Sequence, residues 1–383
     1  MTKVSEVGLQ YLVQFRNGQD YKQVEDETGD VPVYGSGGQF GWASASLYEG
    51  ESVLFGRKGT IDRPLYVNGK LWTVDTMFYT ELGDQVDGRW LHYWATTIPF
   101  GVYSTATALP SMTSSVLGRI KAPVLSLESQ RAIADYLDRE TGEIDEMVAK
   151  LDELAETLEA RWEAKSAAYL LPFGVPGDPT ALESVLALGY KRVLPMNALV
   201  QQRKEKNHDE SAQYLSLMKG VGVIRYEDKG DVGNKKPTDL TRCIRVRTGD
   251  YVLNSMNFYI GSYGISPLDG VCSSVYLICT PRKSVIEPNF LKHLFANTEL
   301  RQRIQDLGNG ILEHRKSIPW DRFAAVKVPL PELNEQRKII AVLDASRSEF
   351  DAMLAKVAEL KSLLIERRAA LITDVVTGRK EVA

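Results

Sequence analysis

One stretch of the chain occurs twice. Leu127, Gln130, Arg131 and Ile133 spell Leu-x-x-Gln-Arg-x-Ile, and Leu333, Gln336, Arg337 and Ile339 spell it again. The register continues at one constant offset: Leu137-Asp138 answers Leu343-Asp344, Asp145 answers Asp351, Met147 answers Met353, and Glu153-Leu154 answers Glu359-Leu360. The offset is far longer than a solenoid period, so the chain is built as two halves. Within the copies an apolar residue returns at every seventh place. The series are Leu137, Ile144, Leu151 and Leu158, then Leu343, Phe350, Val357, Leu364 and Leu371. Met147, Val148, Leu154 and Trp162 fill intermediate places in the first copy, and Met353, Leu354 and Leu360 in the second. This spacing predicts a narrow apolar seam along each helix, and two such helices bury their seams against each other. Each copy follows a proline (Pro123; Pro329 and Pro331), and Thr377-Gly378 is a plausible stop for the second. Roughly 40 residues at about 1.5 Å each make a rod of about 60 Å. Ordinary core-facing helices are rarely that long. Two long antiparallel helices forming a coiled coil are expected, at 125–171 and 329–378.

The segments between repeat one another's grammar, giving a pseudo-twofold internal repeat. Gly50-Glu-Ser-Val-Leu-Phe-Gly-Arg57-Lys58 parallels Gly249-Asp-Tyr-Val-Leu-Asn254 and the residues to Asn257. Trp90-Leu-x-x-Trp parallels Phe290-Leu-x-x-Leu, with His92 and His293 at matching places. Lys70–Tyr79, rich in aromatic and β-branched residues, reads as one strand, and Arg89–Thr96 as a short buried helix. Val31–Ser46 is glycine-rich with Tyr34, Phe40 and Trp42 interspersed. Two α/β (α+β) domains are expected, at 1–124 and 190–328, with a proline-rich linker at 172–189.

Net charge is only −4, but it is unevenly spread. Residues 190–330 hold 22 Lys/Arg against 14 Asp/Glu, whereas 127–171 hold 5 against 12. A basic lobe suits a polyanion and an acidic rod suits protein contact. Cys243, Cys272 and Cys279 lack metal-ligand spacing and are expected reduced and packed. Met1–Gln10 carries no basic-then-apolar signal and no apolar run reaches spanning length, so a soluble, cytoplasmic protein is expected.

No catalytic constellation emerges. His92, His208, His293 and His314 are scattered without metal spacing, so neither a metal nor catalytic residues are expected. Gly-x-Ser-x-Gly and His-Glu-x-x-His are absent, Gly35-x-Gly37 is not a dinucleotide fingerprint, and Gly56-Arg-Lys-Gly-Thr60 lacks the Walker spacing. Glu163-Ala-Lys165 matches a fragment of a nuclease signature but falls on the charged face of the first rod. The loops instead carry residues that bond base edges and phosphates. In the first lobe these are Ser36, Gln39, Arg57, Lys58, Thr60, Arg63, Thr113 and Ser114. In the second they are Lys219, Arg225, Lys235 and Lys236 around a glycine-rich segment, Asn254, Asn257, Tyr259, Ser262 and Tyr263, and His314, Arg315 and Lys316.

Two variable lobes, each closed by Pro…Leu-x-x-Gln-Arg-x-Ile…Leu-Asp (Pro123–Asp138 and Pro329–Asp344), resemble the DNA-sequence specificity (S) subunit of Type I restriction-modification systems. Tyr34-Gly-Ser-Gly-Gly, Ser262-Tyr-Gly-Ile-Ser266 and the tail Glu366-Arg-Arg-Ala-Ala-Leu-Ile-Thr-Asp-Val-Val-Thr-Gly378 add to the likeness, which covers nearly the whole chain. The resemblance implies a non-catalytic chain whose lobes are target-recognition domains, each reading half of a bipartite double-stranded DNA site. It implies helices that set the half-site spacing and dock methyltransferase subunits, two by expectation, through Gln130, Arg131, Leu137, Gln336, Arg337 and Leu343. Restriction subunits would join that core. S-adenosylmethionine, ATP and Mg²⁺ would belong to the partners, with no cofactor in this chain. The first lobe reaches Tyr34-Gly-Ser-Gly early, so its opening strand is expected to be abbreviated or supplied from elsewhere. A coiled-coil scaffold with protein-binding lobes, or a DNA-modifying enzyme with an unrecognised site, are the alternatives.

Overall fold

The computed structural model describes residues 5–104, 110–170, 192–231, 235–309 and 316–382. They form two compact units, Met1–Glu153 with Val357–Ala383, and Leu154–Lys356. The expected linker at 172–189 lies outside the described residues. No helix among those described is long and apolar enough to cross a membrane.

The first unit opens with β1 (Glu6–Gly8), β2 (Val13–Asn17), β3 (Val31–Gly35), β4 (Gly38–Ala43), β5 (Tyr48–Gly56), β6 (Leu65–Thr73) and β7 (Met77–Leu82). It continues with α1 (Gly88–Ala95), α2 (Phe100–Tyr103), α3 (Ser114–Arg119), β8 (Lys121–Pro123) and the start of α4 (Leu127–Leu170). Six strands form one sheet in the order β2-β7-β5-β6-β3-β4. Its centre is β5, where Val53, Leu54 and Phe55 are all fully buried because successive side chains enter opposite layers. Val53 and Phe55 join Leu9, Trp90 and Leu91, while Leu54 joins Leu71 and Met77 on the other face. The stretch Lys70–Tyr79 is therefore two strands. The Met77 N–H turns back onto the Val74 carbonyl (3.0 Å), and β6 and β7 lie on opposite sides of β5. The opening strand is short, three residues, and comes from the unit's own beginning, where β1 pairs with β8.

The second unit runs β9 (Arg192–Pro195), α5 (Met196–Leu199), β10 (Val200–Gln202), β11 (Leu215–Met218), β12 (Gly222–Arg225), β13 (Ile244–Val246), β14 (Tyr251–Asn254), β15 (Tyr263–Ile265), β16 (Gly270–Cys272) and β17 (Tyr276–Pro281). Then come α6 (Pro288–Ala296), α7 (Thr298–Asp306), α8 (Trp320–Ala325), β18 (Lys327–Leu330) and the long α9 (Leu333–Val376). Its main sheet is β10-β17-β14-β15, and β9 pairs with β18 as β1 does with β8. β14 repeats the logic of β5: Tyr251 and Leu253 face one core and Val252 the other. Cys243, Cys272 and Cys279 are buried and unpaired as disulfides, and burial pushes all three thiols up, which keeps them unreactive.

The repeated motif fastens each lobe to its long helix. Gln130 is 2% exposed and Gln336 fully buried. Gln130 accepts a bond from the Asp87 N–H (2.9 Å) and donates to the Gln85 and Leu125 carbonyls (2.9 and 3.0 Å). Gln336 does the same with the Glu287 N–H (2.8 Å) and the Val285 and Pro331 carbonyls (3.1 and 2.9 Å). Leu137 and Leu343 are fully buried, each in its unit's core. Asp138 then accepts from Tyr93 (2.8 Å) and Arg89 (2.7 Å), and Asp344 meets His293 (2.9 Å). So Tyr93, rather than His92, occupies the place matching His293; the His92 ring bonds the Pro64 carbonyl instead (3.2 Å).

Within each unit the two long helices run antiparallel. In the first, Asp145 accepts two bonds from Arg368 (2.8 and 3.1 Å) and Asp152 two from Lys361 (2.6 and 2.8 Å). In the second, Trp162 lies 5.9 Å from Phe350, and the Arg347 guanidinium covers the indole at 5.4 Å. Part of the acidity of α4 is thus matched by basic partners in α9, though exposed pairs of this kind add only about 0–1 kcal/mol each. The seven-residue series behaves as a seam, with Ile144, Leu158 and Val357 buried. Four residues expected to fill it do not: Met147, Leu154, Met353 and Leu360 are 45–52% exposed. Both copies leave the same two places out.

Replacing Gln130 with Leu should destabilise the first unit by roughly 1–3 kcal/mol for each buried group left without a partner, and Gln336→Leu the second. Denaturant unfolding followed by tryptophan fluorescence reads both units, since Trp42, Trp72, Trp90 and Trp94 lie in the first and Trp162 and Trp320 in the second. Unchanged midpoints would contradict the fastening role. Burial, outweighing Asp344 at His293, also holds both His92 and His293 below the ordinary 6.5. The unfolded chain therefore binds protons more readily, so this stabilising contribution is complete above pH 6.5 and is lost as pH falls below it. Melting curves of the wild type and of a His92→Gln, His293→Gln double variant should converge between about pH 8 and about pH 5.5. A constant gap would contradict the assignment.

Candidate nucleic-acid interface

In both units the central strand ends in a polar turn that is pinned to a later loop. In the first, β5 ends at Gly56, where a side chain would sit 2.2 Å from the Thr60 carbonyl oxygen, so only glycine permits the turn. The Arg57 N–H donates to the Thr76 carbonyl (2.8 Å), and the Arg57 carbonyl accepts from the Met112 N–H (2.9 Å). The Gly59 N–H donates to Pro110 (3.1 Å), and Lys58 bridges Ser111. Ser36, from the β3–β4 turn, reaches the same place: its hydroxyl would lie 3.3 Å from a Cβ at Gly59.

The first-lobe residues are thereby sorted. Ser36, Arg57, Lys58 and the loop leading to Thr113 come together. Lys58 and Thr113 are exposed, whereas Arg57 is half-buried, donating to the Asp75 carbonyl (3.4 Å) with its guanidinium 5.9 Å from the Phe78 ring. Thr113 caps α3 by accepting from the Val116 N–H (3.2 Å), with Ser114 exposed beside it. Thr60 is half-buried in the turn, and Gln39 and Arg63 are exposed.

In the second unit the Ser255 carbonyl, just past β14, accepts from the Ile318 N–H (3.1 Å), as Arg57 does from Met112. The turn 254–262 closes on itself. The Asn254 N–H donates to Ser262 (3.0 Å), Ser262 donates back to the Asn257 carbonyl (3.2 Å), and Asn254 Oδ1 accepts from the Met256 N–H (3.1 Å). Asn254 and Ser262 are 7% and 6% exposed, so they shape the turn rather than face outward. Tyr263 is half-buried and packs against the core beside Phe258 and Phe295 (5.7 and 5.9 Å), and burial raises its hydroxyl pKa. Asn257, Tyr259 and Lys316 are half-buried around the turn, and His314 and Arg315 lie outside the described residues.

Lys219 and Arg225 belong to the β11–β12 hairpin, with Lys235 and Lys236 exposed beyond it. Gly220 and Gly222 have φ of 76° and 98°, which fits them for the tip. The hairpin leans on β15, where a Cβ on Gly264 would be 2.7 Å from the Gly222 Cα. A cavity of about 910 Å³ beside this tip mixes Glu159, Glu163 and Asp351 with Lys292, Arg301 and Arg347, without the uniform charge that a polyanion or a phosphate would select. Among the described residues no group of three or more His, Cys, Asp or Glu is placed to hold a metal.

Of the helix residues expected to dock partners, Gln130, Leu137, Gln336 and Leu343 are buried and used within their own units. Arg131 and Arg337 are exposed, and Arg337 bonds Glu287 (2.8 Å) and Asn334 (3.1 Å). Sequence reasoning missed Ser255 and the buried Gln305, which bonds three segments around the second turn. It also missed the backbone bonds from Met112 and Ile318. These two stand at the same offset as the long-helix repeat, which is the signal that could have found them.

No protein-family model matches the chain. A 93-residue stretch is 27% identical to the Type I restriction enzyme StySPI specificity subunit of Salmonella potsdam, covering 24% of this chain and 20% of that protein. The matched stretch thus spans about a fifth of the curated relative. A structure bearing on complex assembly and conformational transition of the type I R-M system matches with a TM-score of 0.69 at 14% identity, over 98% of both chains. The HsdS subunit from Thermoanaerobacter tengcongensis matches with a TM-score of 0.50 at 15% identity, over 99% of this chain and 97% of that one. With its paired α/β lobes, its duplicated helix motif and these whole-chain likenesses, the chain has the fold of a Type I restriction-modification specificity subunit.

Proposed function

We propose that this chain is the sequence-specific DNA-recognition subunit of a Type I restriction-modification complex, each unit reading one half of a bipartite target. One observation carries the reading. The two units end the matching central strand in a turn pinned by a matching backbone bond, Met112 to Arg57 and Ile318 to Ser255, yet bring different chemistry to it: Arg57, Lys58 and Ser36 in one, Asn257, Tyr259 and Lys316 in the other. A shared frame with divergent polar turns is what two different half-sites demand, because base readout depends on the few side chains that reach the groove. The exposed lysines and arginines of the second lobe, Lys219, Arg225, Lys235 and Lys236, supply phosphate contacts.

On this reading the long helices set the distance between half-sites, and methyltransferase subunits dock on them, with restriction subunits joining that core. The exposed Met147 and Leu360 of one unit, and Leu154 and Met353 of the other, support a docking role, since apolar residues repeated in both copies and left out of the seam suit a partner's surface. The chain contributes recognition, and the chemistry of S-adenosylmethionine, ATP and Mg²⁺ belongs to the partners.

Inserting one heptad into each long helix should lengthen the spacer of the recognised motif, by at most about three base pairs for about 10 Å of added rod, while keeping both half-sequences. Mapping of methylated bases reads the result, and an unchanged spacer would contradict the ruler role. Replacing Arg57 and Lys58 with alanine should weaken recognition at one half-site alone, by about 1–3 kcal/mol for each bidentate bond to a base that the substitution removes. An equal weakening on all DNA with a shallower salt dependence would make them phosphate-binding residues instead.

A further inference from the structure

We propose that Gln305 is a positioning residue for DNA specificity: it touches no DNA but sets the shape of the second unit's recognition turn. The inference rests on the recognition reading and deepens it. Gln305 projects from α7 and is 4% exposed. Its amide donates to the Lys316 carbonyl (2.7 Å) and to the Ser255 carbonyl (3.5 Å), and its oxygen accepts from the Tyr259 N–H (3.4 Å). One side chain therefore joins the end of the central strand, the 254–262 turn and the start of the segment that returns to α8.

The surrounding bonds give this clamp its leverage. Arg301, one helical turn earlier, donates to the Tyr259 carbonyl (3.1 Å), so the Tyr259 residue is held through both its N–H and its carbonyl from α7. The Ser255 and Ser317 hydroxyls meet at 2.9 Å, and Ser255 also donates to the Val275 carbonyl (2.9 Å). α7 itself is fixed by Leu300 and Ile304, which are buried in the unit's core. The helix is thus anchored in the core, and Gln305 is the part of it that grips the turn. Both units pin the turn with a matching backbone bond, Met112 to Arg57 and Ile318 to Ser255; the first adds a backbone bond from Gly59 to Pro110 where the second adds the Gln305 side chain. A side-chain clamp can be removed by a single substitution, whereas a backbone ladder cannot. Among the described residues, Gln305 is thus a contact through which one buried substitution can loosen the second turn.

The test uses the full chain assembled with its methyltransferase partner. The wild-type motif is first defined by mapping methylated bases, and binding is then measured on duplexes changed one base pair at a time in either half. Gln305→Met keeps length and volume but removes all three bonds. Gln305→Glu keeps the acceptor for Tyr259 and sets a charged oxygen against two carbonyls. Both variants should lose discrimination in one half-site by roughly tenfold or more, the size of one bidentate bond to a base, with the other half-site read as before. A merely structural role would lower the folded fraction and scale binding to every duplex equally, so that result overturns the proposal, as does wild-type discrimination in both variants. Should one variant fail to assemble, the other is read in the same assay. If the wild-type complex shows no bipartite motif that depends on this chain, the recognition reading itself fails, and this inference with it.

Discussion

Gln130 and its copy Gln336 are the points on which each half of the molecule depends. Each places a whole amide inside the protein with all its main bonding groups in use, one bond accepted and two donated, at 2% exposure or less. The partners are backbone groups from the long helix's approach and from the loop entering the short helix α1 or α6. Removing one partner would strand buried carbonyls and an N–H that water cannot reach, and that cost exceeds what the bond itself contributes. With the leucine two turns on and the aspartate beside it, the motif makes lobe and helix one packed body. This explains why the motif recurs intact while the lobes around it diverge.

A frame fixed in that way leaves the ends of β5 and β14 at liberty to differ. Their cores alternate identically, Val53 and Phe55 against Leu54, Tyr251 and Leu253 against Val252. Buried polar groups beside them already show divergence. In the first unit the Ser52 hydroxyl bonds the Thr80 backbone and the Thr80 hydroxyl bonds the Val53 backbone, where the second has Asp250 held by Arg203 (2.6 Å) and Thr280 (2.6 Å). Beyond the strand ends the turns share a backbone bond and little else. On the proposed reading, evolution of a new half-site needs changes only there, with no demand on the frame.

The long helices and their antiparallel pairing were legible because period and duplication are properties of the chain itself. The lobes' class was legible too, from strand and helix patterns at matching offsets. What escaped was set by three-dimensional neighbours. Asn254, Ser262 and Tyr263 carry groups suited to bonding bases, yet the turn closes on the first two and the third packs against the core. His92 looked like the partner of His293, but with Trp90-Leu91 set against Phe290-Leu291 that place falls to Tyr93, whose hydroxyl bonds Asp138 as His293 meets Asp344. Met147 and Leu154 fit an apolar pattern whose seam had no room for them. Gln305 has no motif at all, and its importance lies in three backbone groups brought to it from distant parts of the chain.

The central claim, recognition of a divided DNA site by a chain that performs no chemistry, is tested most directly by co-expression with a methyltransferase subunit from the same host, followed by genome-wide mapping of methylated bases. The account predicts a bipartite methylated motif that vanishes when this chain is omitted, and no methylation by this chain alone with S-adenosylmethionine. Methylation indifferent to the chain's presence, or methylation by the purified chain itself, would contradict it.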